Sequence, residues 1–398
     1  MSRAAPGAAQ LLEEAGSKEA SPAPGAPSGR MVALDAFRGL TIAGMLLVNN
    51  PGTWSAIYPP LEHAAWHGWT PTDLIFPFFV FIVGVTTHLS LTARALRGDS
   101  PVAITRQILR RGAIIILLGL LLHSFPWFPL TRITGVRLPG VLQRIGIAYL
   151  AAALLSRNRS SRQVMGIVGF LLLGYWALQA LVAPPGVAAP TIDVPSDTLS
   201  AWIDRTIFGS HLWQQSKTWD PEGLLSTLPA VGTCLLGVLA GRWLDTRRPL
   251  AERINGLLAA GLLGIAAGLL WGRVFPINKN LWTSSYVIFT AGLACIAIAL
   301  LAWLIEVRGH RRLAGPLVTW GLNPMFAFVG SGIMARILGM IRVTLDGQSV
   351  PLQEAVFRSV LAPWLSPRNA SLAWALCFVL LWYGILRLLE KRGIVFKV

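Results

Sequence analysis

Ten apolar runs, each closed by a polar or basic cluster, fill the chain from residue 32 onward. They lie at roughly 33–50, 72–93, 110–126, 139–156, 164–183, 223–243, 254–275, 283–305, 315–340 and 370–390. Most approach the ~20 residues that an α-helix needs to cross a hydrocarbon core of ~30 Å. The first and fourth are the weakest spans, because Arg38 and Arg144 interrupt them. Residues 352–365 suit an extra short or re-entrant helix. The pattern predicts an all-α, polytopic membrane bundle of ten to eleven transmembrane helices over residues 31–398. Residues 1–30, rich in Ala, Pro, Gly and Ser, read as a disordered tail without a secretory apolar region.

Composition sharpens this picture. Of 398 residues, 54% are hydrophobic and only 13% charged, yet the net charge is +16, and the mean hydropathy is +0.58. A soluble enzyme this apolar lacks the polar residues to cover its surface, and a basic nucleic-acid module carries far more charge. The lipid bilayer is therefore the expected partner, and nucleic acid is not. Arginine and lysine cluster in the tail, at 94–111, 157–162, 242–253 and 308–312, and after residue 387. Basic loops of membrane proteins stay cytoplasmic, so these segments and both termini are predicted to be cytoplasmic, as an even number of spans requires. The three cysteines, Cys234, Cys295 and Cys377, sit in apolar runs without metal-ligand spacing, and no metal is expected. No P-loop, dinucleotide fingerprint, HExxH or GxSxG is present.

The opposite face carries the chemically rich loops, 50–71, 126–138, 184–222, 276–282 and 341–369. One run gathers Asn49, Asn50, Glu62, His63, Trp66, His67 and Asp73. Histidine moves protons near neutral pH, and a nearby carboxylate holds its tautomer. Asp73 suits that role and equally suits a helix start, where an aspartate is favoured electrostatically. Asp35 and Arg38 are spaced to pair on one helix face; alternatively Arg38 meets a polyanion entering from the cytoplasm. Arg144, beside Gln143 one turn into the fourth span, is a costly intramembrane cation that either binds an anionic ligand or pairs with Asp35. Arg110 and Arg111 are explained equally well by topology. Asp220 and Glu222 suit a ligand site or a helix start. Asn278, Lys279 and Asn280, beside Trp282, suit a sugar: amide and ammonium groups for hydroxyls, an aromatic face for the ring. Asn323-Pro324 is expected to kink its helix.

These residues resemble the heparan-α-glucosaminide N-acetyltransferase family. The resemblance is carried by Leu34-Asp35-Ala36-Phe37-Arg38-Gly39, Val48-Asn49, His63-Ala64-Ala65-Trp66-His67-Gly68, Thr72-Asp73-Leu74 and Phe76-Pro77-Phe78. It continues in the same order through Pro139-Gly140-Val141-Leu142-Gln143-Arg144, Asp220-Pro221-Glu222-Gly223 and Asn278-Lys279-Asn280-Leu281-Trp282. Several ordered motifs over residues 31–330 are a specific signal. The resemblance implies a bacterial inner-membrane member without the large lumenal N-terminal domain, passing acetyl from cytoplasmic acetyl-CoA to the amine of glucosamine or a related amino sugar outside. It implies His63 as the catalytic histidine, with Asn49 and Asp73 in the catalytic set. Arg38, Gln143 and Arg144 are then expected at the CoA, and Trp66, His67, Asp220, Glu222, Asn278, Lys279 and Asn280 at the acceptor. A homodimer is implied as well. An O-acyltransferase acting on an envelope polysaccharide, or an amino-sugar transporter without catalysis, are the rival readings; no inverted repeat supports the transporter.

Overall fold

The computed structural model describes residues 31–128 and 135–396, so the tail expected over 1–30 lies outside the described residues. Thirteen α-helices follow in order. The first eight are α1 Val32–Asn49, α2 Pro71–Leu96, α3 Pro101–Ser124, α4 Val141–Ser156, α5 Ser161–Leu181, α6 Leu199–Phe208, α7 Thr227–Leu244 and α8 Leu250–Trp271. The remainder are α9 Ser284–Ala302, α10 Arg311–Leu322, α11 Pro324–Met340, α12 Leu352–Val356 and α13 Pro367–Lys391. The one sheet among the described residues is an antiparallel hairpin, β1 Arg342–Leu345 and β2 Gln348–Pro351, with Val343 opposite Val350.

All ten apolar runs are helical, but the expected count of spans needs correction. Among the described residues eight helices are long and apolar enough to cross a membrane, and the α10–α11 pair makes nine if it counts as one span. That pair bends by 77° at Asn323-Pro324. Proline offers no N–H to continue the ladder, and the Asn323 amide turns instead to the C-terminal segment, bonding Ile394 O at 3.1 Å and Phe396 N at 2.8 Å. Helix α4 has 16 residues, about 24 Å at 1.5 Å per residue, short of the hydrocarbon thickness. Its first expected residues are not helical: Pro139 lies in a bend and Gly140 is extended, leading into the loop-rich end. The third run gains about two and a half turns at its start, because Ser100 caps it by accepting from Ala103 N. The segment expected to hold one short helix holds α12 and a π-turn over Phe357–Leu361.

Burial sorts the helices into two layers. In α7, 72% of the apolar window is buried, against 22% in α8 and α13, so α7 is core and the latter two face lipid. Helix α7 packs on α2, α4, α5 and α9, and α1 packs on α10 and α2. Small residues allow the closest of these approaches. A Cβ on Gly84 of α2 would stand 1.9 Å from Cys234 O, and one on Gly237 of α7 would stand 2.1 Å from Phe81 O. Close backbone contact of this kind is how helices associate where lipid removes the hydrophobic driving force. Gly84→Ala is therefore expected to push α2 off α7 and cost about 1–3 kcal/mol. A lowered melting temperature in detergent is the readout; an unchanged one would show that the contact can relax.

Candidate active site

The first site residues are held by the start of α2. Thr70 and Asp73 form a capping box, in which Asp73 Oδ2 accepts Thr70 N at 3.0 Å and Asp73 N donates to Thr70 O at 3.0 Å. Oδ2 also accepts Ala64 N at 3.0 Å. The other carboxylate oxygen, Oδ1, lies 2.6 Å from His63 Nδ1. The two readings of Asp73 are thus both realised, one on each oxygen. A carboxylate only accepts, so the His63 proton is assigned to Nδ1 and the lone pair to Nε2. The Asp73 side chain is 1% exposed and that of His63 is 47% exposed: a fixed anion orients an accessible base.

Lys279 completes this group from the loop before α9. Its Nζ lies 3.2 Å from both ring nitrogens of His63 and 4.0 Å from Asp73 Oδ1. Burial pulls the Lys279 ammonium below the ordinary lysine range, against the Glu222 and Asp73 carboxylates, which favour its charge. The same loop fixes His67. Asn278 Nδ2 donates to His67 Nδ1 at 3.3 Å, and His67 Nε2 donates to Asp193 Oδ1 at 2.9 Å. With Nδ1 accepting and Nε2 donating, His67 is the opposite tautomer from His63. Trp66 donates to Ile192 O at 2.8 Å and stands edge-on to Trp219 at 5.1 Å. Asn280 is half-buried in the Lys279 loop.

Arg137 organises the third group. Its Nε donates to Asp220 Oδ2 at 2.8 Å, and its Nη2 bonds both Asp220 Oδ1 and Glu222. Asp220 also accepts Trp213 N at 3.0 Å and Glu222 N at 2.9 Å. Burial alone would raise the Glu222 carboxyl, but the Arg137 guanidinium holds it below the ordinary range, and the two carboxylates raise Arg137 in return. Asp220, Glu222 and Asn278 are all buried. Their contacts shape the loops that present His63, Trp66 and Lys279.

Asp204 of α6 stands beside them with the opposite electrostatics. It is fully buried; Oδ1 accepts Leu224 N at 2.8 Å, while Oδ2 has no hydrogen-bond partner. Burial pushes its carboxyl up to about 7. A raised carboxyl binds a proton more tightly in the folded chain, so its stabilising protonation is lost as pH rises from the unfolded value towards 7. Asp204→Asn is therefore expected to gain in melting temperature over wild type progressively between about pH 4 and about pH 7, and to hold that gain above it. A constant difference in melting temperature across that range would refute it.

The intended phosphate ligands are placed apart. Arg144 is 1% exposed, donates to Gly223 O at 3.2 Å and to Ser226 Oγ, and lies 5.0 Å over the Trp282 ring. It does not pair with Asp35; its place is under the Asp220–Glu222 loop. Arg38 takes Asp35 instead, at 3.0 Å, and also donates to Gly321 O at 3.2 Å. It lies eleven residues before Asn49 on α1, about 17 Å along the axis, towards the arginine-rich end of the bundle. Asn49 is exposed to a polar chamber of about 640 Å³ that also meets Gln143, His123, Arg336 and Gln353. Gln143 is buried there, donating to Leu138 O at 3.0 Å and lying 3.3 Å from His123. His63 does not line this chamber. At the arginine-rich end a second cavity, of about 500 Å³, is lined by His88, Asp99, Arg157 and Arg242.

His123, Asp193 and Asp204 were not among the candidates in the sequence, and Arg137, which opens the candidate run Arg137–Arg144, had no role of its own. His123 was signalled only by being a histidine in an apolar run, and Arg137 by its place ahead of Pro139-Gly140. Nothing in the sequence connects Asp193 to His67. Among the described residues no cluster of His, Cys, Asp and Glu could hold a metal ion.

Comparison with known proteins agrees with the ordered motifs. Residues 30–274 match the model of the heparan-alpha-glucosaminide N-acetyltransferase catalytic family. The chain is 28% identical to heparan-alpha-glucosaminide N-acetyltransferase of Mus musculus over 376 aligned residues, covering 81% of this chain and 56% of that protein. It is 29% identical to the Homo sapiens protein of the same name over 371 residues, covering 80% of this chain and 55% of that protein. The chain thus spans about half the length of the curated relatives it matches. With motifs in family order, a family match over most of its length and the spans of a multi-pass membrane protein, the chain belongs to the heparan-alpha-glucosaminide N-acetyltransferase family.

Proposed function

We propose that the chain is a transmembrane N-acetyltransferase, taking acetyl from acetyl-CoA at its arginine-rich, cytoplasmic face. The acceptor is the amine of glucosamine or a related amino sugar at the His63 face, across a bacterial inner membrane. The observation that carries this reading is the 2.6 Å contact between Asp73 Oδ1 and His63 Nδ1. An amine attacks only when deprotonated, and a neutral imidazole with its lone pair on Nε2 is the group to take its proton.

As the sugar nitrogen attacks the thioester carbonyl, its proton passes to His63 Nε2. The carbon–sulfur bond breaks, and the proton goes on to the departing thiolate, leaving an amide and a thiol. Asn49 offers its amide to the thioester carbonyl on the side of the polar chamber that it lines. Asp73 stabilises the imidazolium that forms in between. Trp66, Lys279 and Asn280 are the accessible groups for the sugar. Arg38, and Arg242 in the cavity beside His88, offer the cations that the CoA phosphates require. Because Asn49 opens on the chamber and His63 on the loop surface, a second route has a specific basis: acetyl carried on His63 between the two.

The test is labelled acetyl-CoA with purified protein and glucosamine, against N-acetylglucosamine. Label transfer to glucosamine alone is the expected result, since the second sugar has no free amine. Transfer to both would mean a hydroxyl acceptor. Sugar movement across vesicles without acetylation would mean a transporter.

A further inference from the structure

The outward face of α3 carries a feature that acetyl transfer does not use. Over its first three turns runs a groove of about 730 Å³, with Val102, Leu109 and Ala113 as its apolar wall and Arg106, Arg110 and Arg157 at its edge. We propose that this groove binds the headgroup of an anionic phospholipid, with the acyl chains lying along α3.

Three observations support it. First, the cations are arranged and unspent. Arg106 and Arg110 are exposed and one helical turn apart. Arg157 is fixed beside them through Thr105 Oγ1 at 2.5 Å and Pro101 O at 3.0 Å. Second, no carboxylate lines the groove, and among the described residues none of these three arginines is in an ion pair. Two other arginines near this end are paired, Arg94 with Asp99 at 2.9 Å and Arg248 with Glu252. Topology alone explains why arginines gather here; it does not explain why these three converge on one groove without a counter-ion. Third, the apolar wall continues along the helix. Val102, Leu109, Leu117 and Leu121 are 71%, 50%, 56% and 50% exposed, on a helix apolar enough to lie in the bilayer. A soluble phosphate would leave that wall uncovered. A phospholipid satisfies both halves, its phosphate on the guanidiniums and its chains on the leucines.

The test is retention of phosphatidylglycerol. Full-length protein is reconstituted in phosphatidylcholine vesicles with and without phosphatidylglycerol, released into detergent, and weighed by native mass spectrometry. Wild type is expected to retain phosphatidylglycerol in preference to phosphatidylcholine. The Arg106→Gln/Arg110→Gln pair should lose that preference by roughly 30-fold, and Arg106→Gln alone by roughly fivefold, as cations near a membrane surface contribute. The Arg106→Lys/Arg110→Lys pair should keep most of it. Equal retention by wild type and the double glutamine variant, with both melting alike in phosphatidylcholine, overturns the proposal. So does displacement of the lipid by free CoA or inorganic phosphate, which would make the groove a site for a soluble anion.

Discussion

His63→Ala is expected to lower the rate of acetyl transfer by ~10²–10⁴-fold, the usual worth of a positioned general base, while leaving the fold intact. The side chain is 47% exposed, so its removal opens no core cavity, but it takes from buried Asp73 Oδ1 its 2.6 Å partner. Asp73 keeps its capping bonds to Thr70 and Ala64 through Oδ2. CoA affinity should therefore match wild type, stability should fall by no more than about 1–3 kcal/mol, and turnover should fall far more. Asp73→Asn is expected to fall too, because an amide N–H facing Nδ1 favours the wrong tautomer, with some loss of stability from the weakened cap. An active His63→Ala enzyme would remove the mechanism proposed above. The same variant separates the two routes. If acetyl rests on His63, wild type incubated with labelled acetyl-CoA alone should carry label at that residue. If transfer is direct, no CoA is released until the amine is present.

Arg137→Met is expected to be the most destabilising single change at the loop-rich end. It removes the one guanidinium that bonds both Asp220 and Glu222, leaving two buried carboxylates uncompensated, a loss of about 3–5 kcal/mol. The pH dependence identifies the cause. In wild type, Glu222 is held below its ordinary value of 4.5, so its contribution is present above that value and lost as pH falls through the folded one. In Arg137→Met the carboxylates gain by protonation instead, and the deficit in melting temperature should narrow as the pH is lowered. Adding Asp220→Asn and Glu222→Gln should restore part of the loss, since neutral amides need no counter-ion. A deficit independent of pH would mean that Arg137 acts through packing. Because these loops present Lys279 to His63, activity should fall alongside stability.

Much of the architecture was legible in the sequence because the bilayer enforces it. A chain in hydrocarbon must satisfy every backbone group internally, so a long apolar run becomes a helix whatever its neighbours are. Each of the ten runs did so. The shortfalls in span count also have local causes. The break at Asn323-Pro324 was readable from the proline, but its size was not. Helix α4 was read two residues early because Pro139 and Gly140 are compatible with a helix start and are here a bend and extended chain. Helix α6 and the β1–β2 hairpin lie in loops where no membrane constrains the chain.

The candidate site divides differently. Sequence named His63, Asp73, Asn49 and Lys279, because uncommon polar residues in fixed order survive as a recognisable pattern. Ten residues separate His63 from Asp73, within reach of one loop and one helix start, so their pairing could be anticipated. Lys279 meets the same imidazole from 216 residues away, and Arg137 meets Asp220 from 83. Such pairings depend on how α2, α4, α7 and α9 pack, which hydropathy does not encode. An intramembrane arginine looks the same in sequence whether it faces a ligand or a buried carboxylate. Burial distinguishes the two: Arg144 is enclosed beneath the Asp220–Glu222 loop, while Asn49 opens on a polar chamber that His63 does not line. The sequence by itself determined the helices and the chemical types available, since each follows from local composition. Only the tertiary structure decided which charges neutralise one another and which stay accessible to a substrate, since that follows from distance and desolvation in three dimensions.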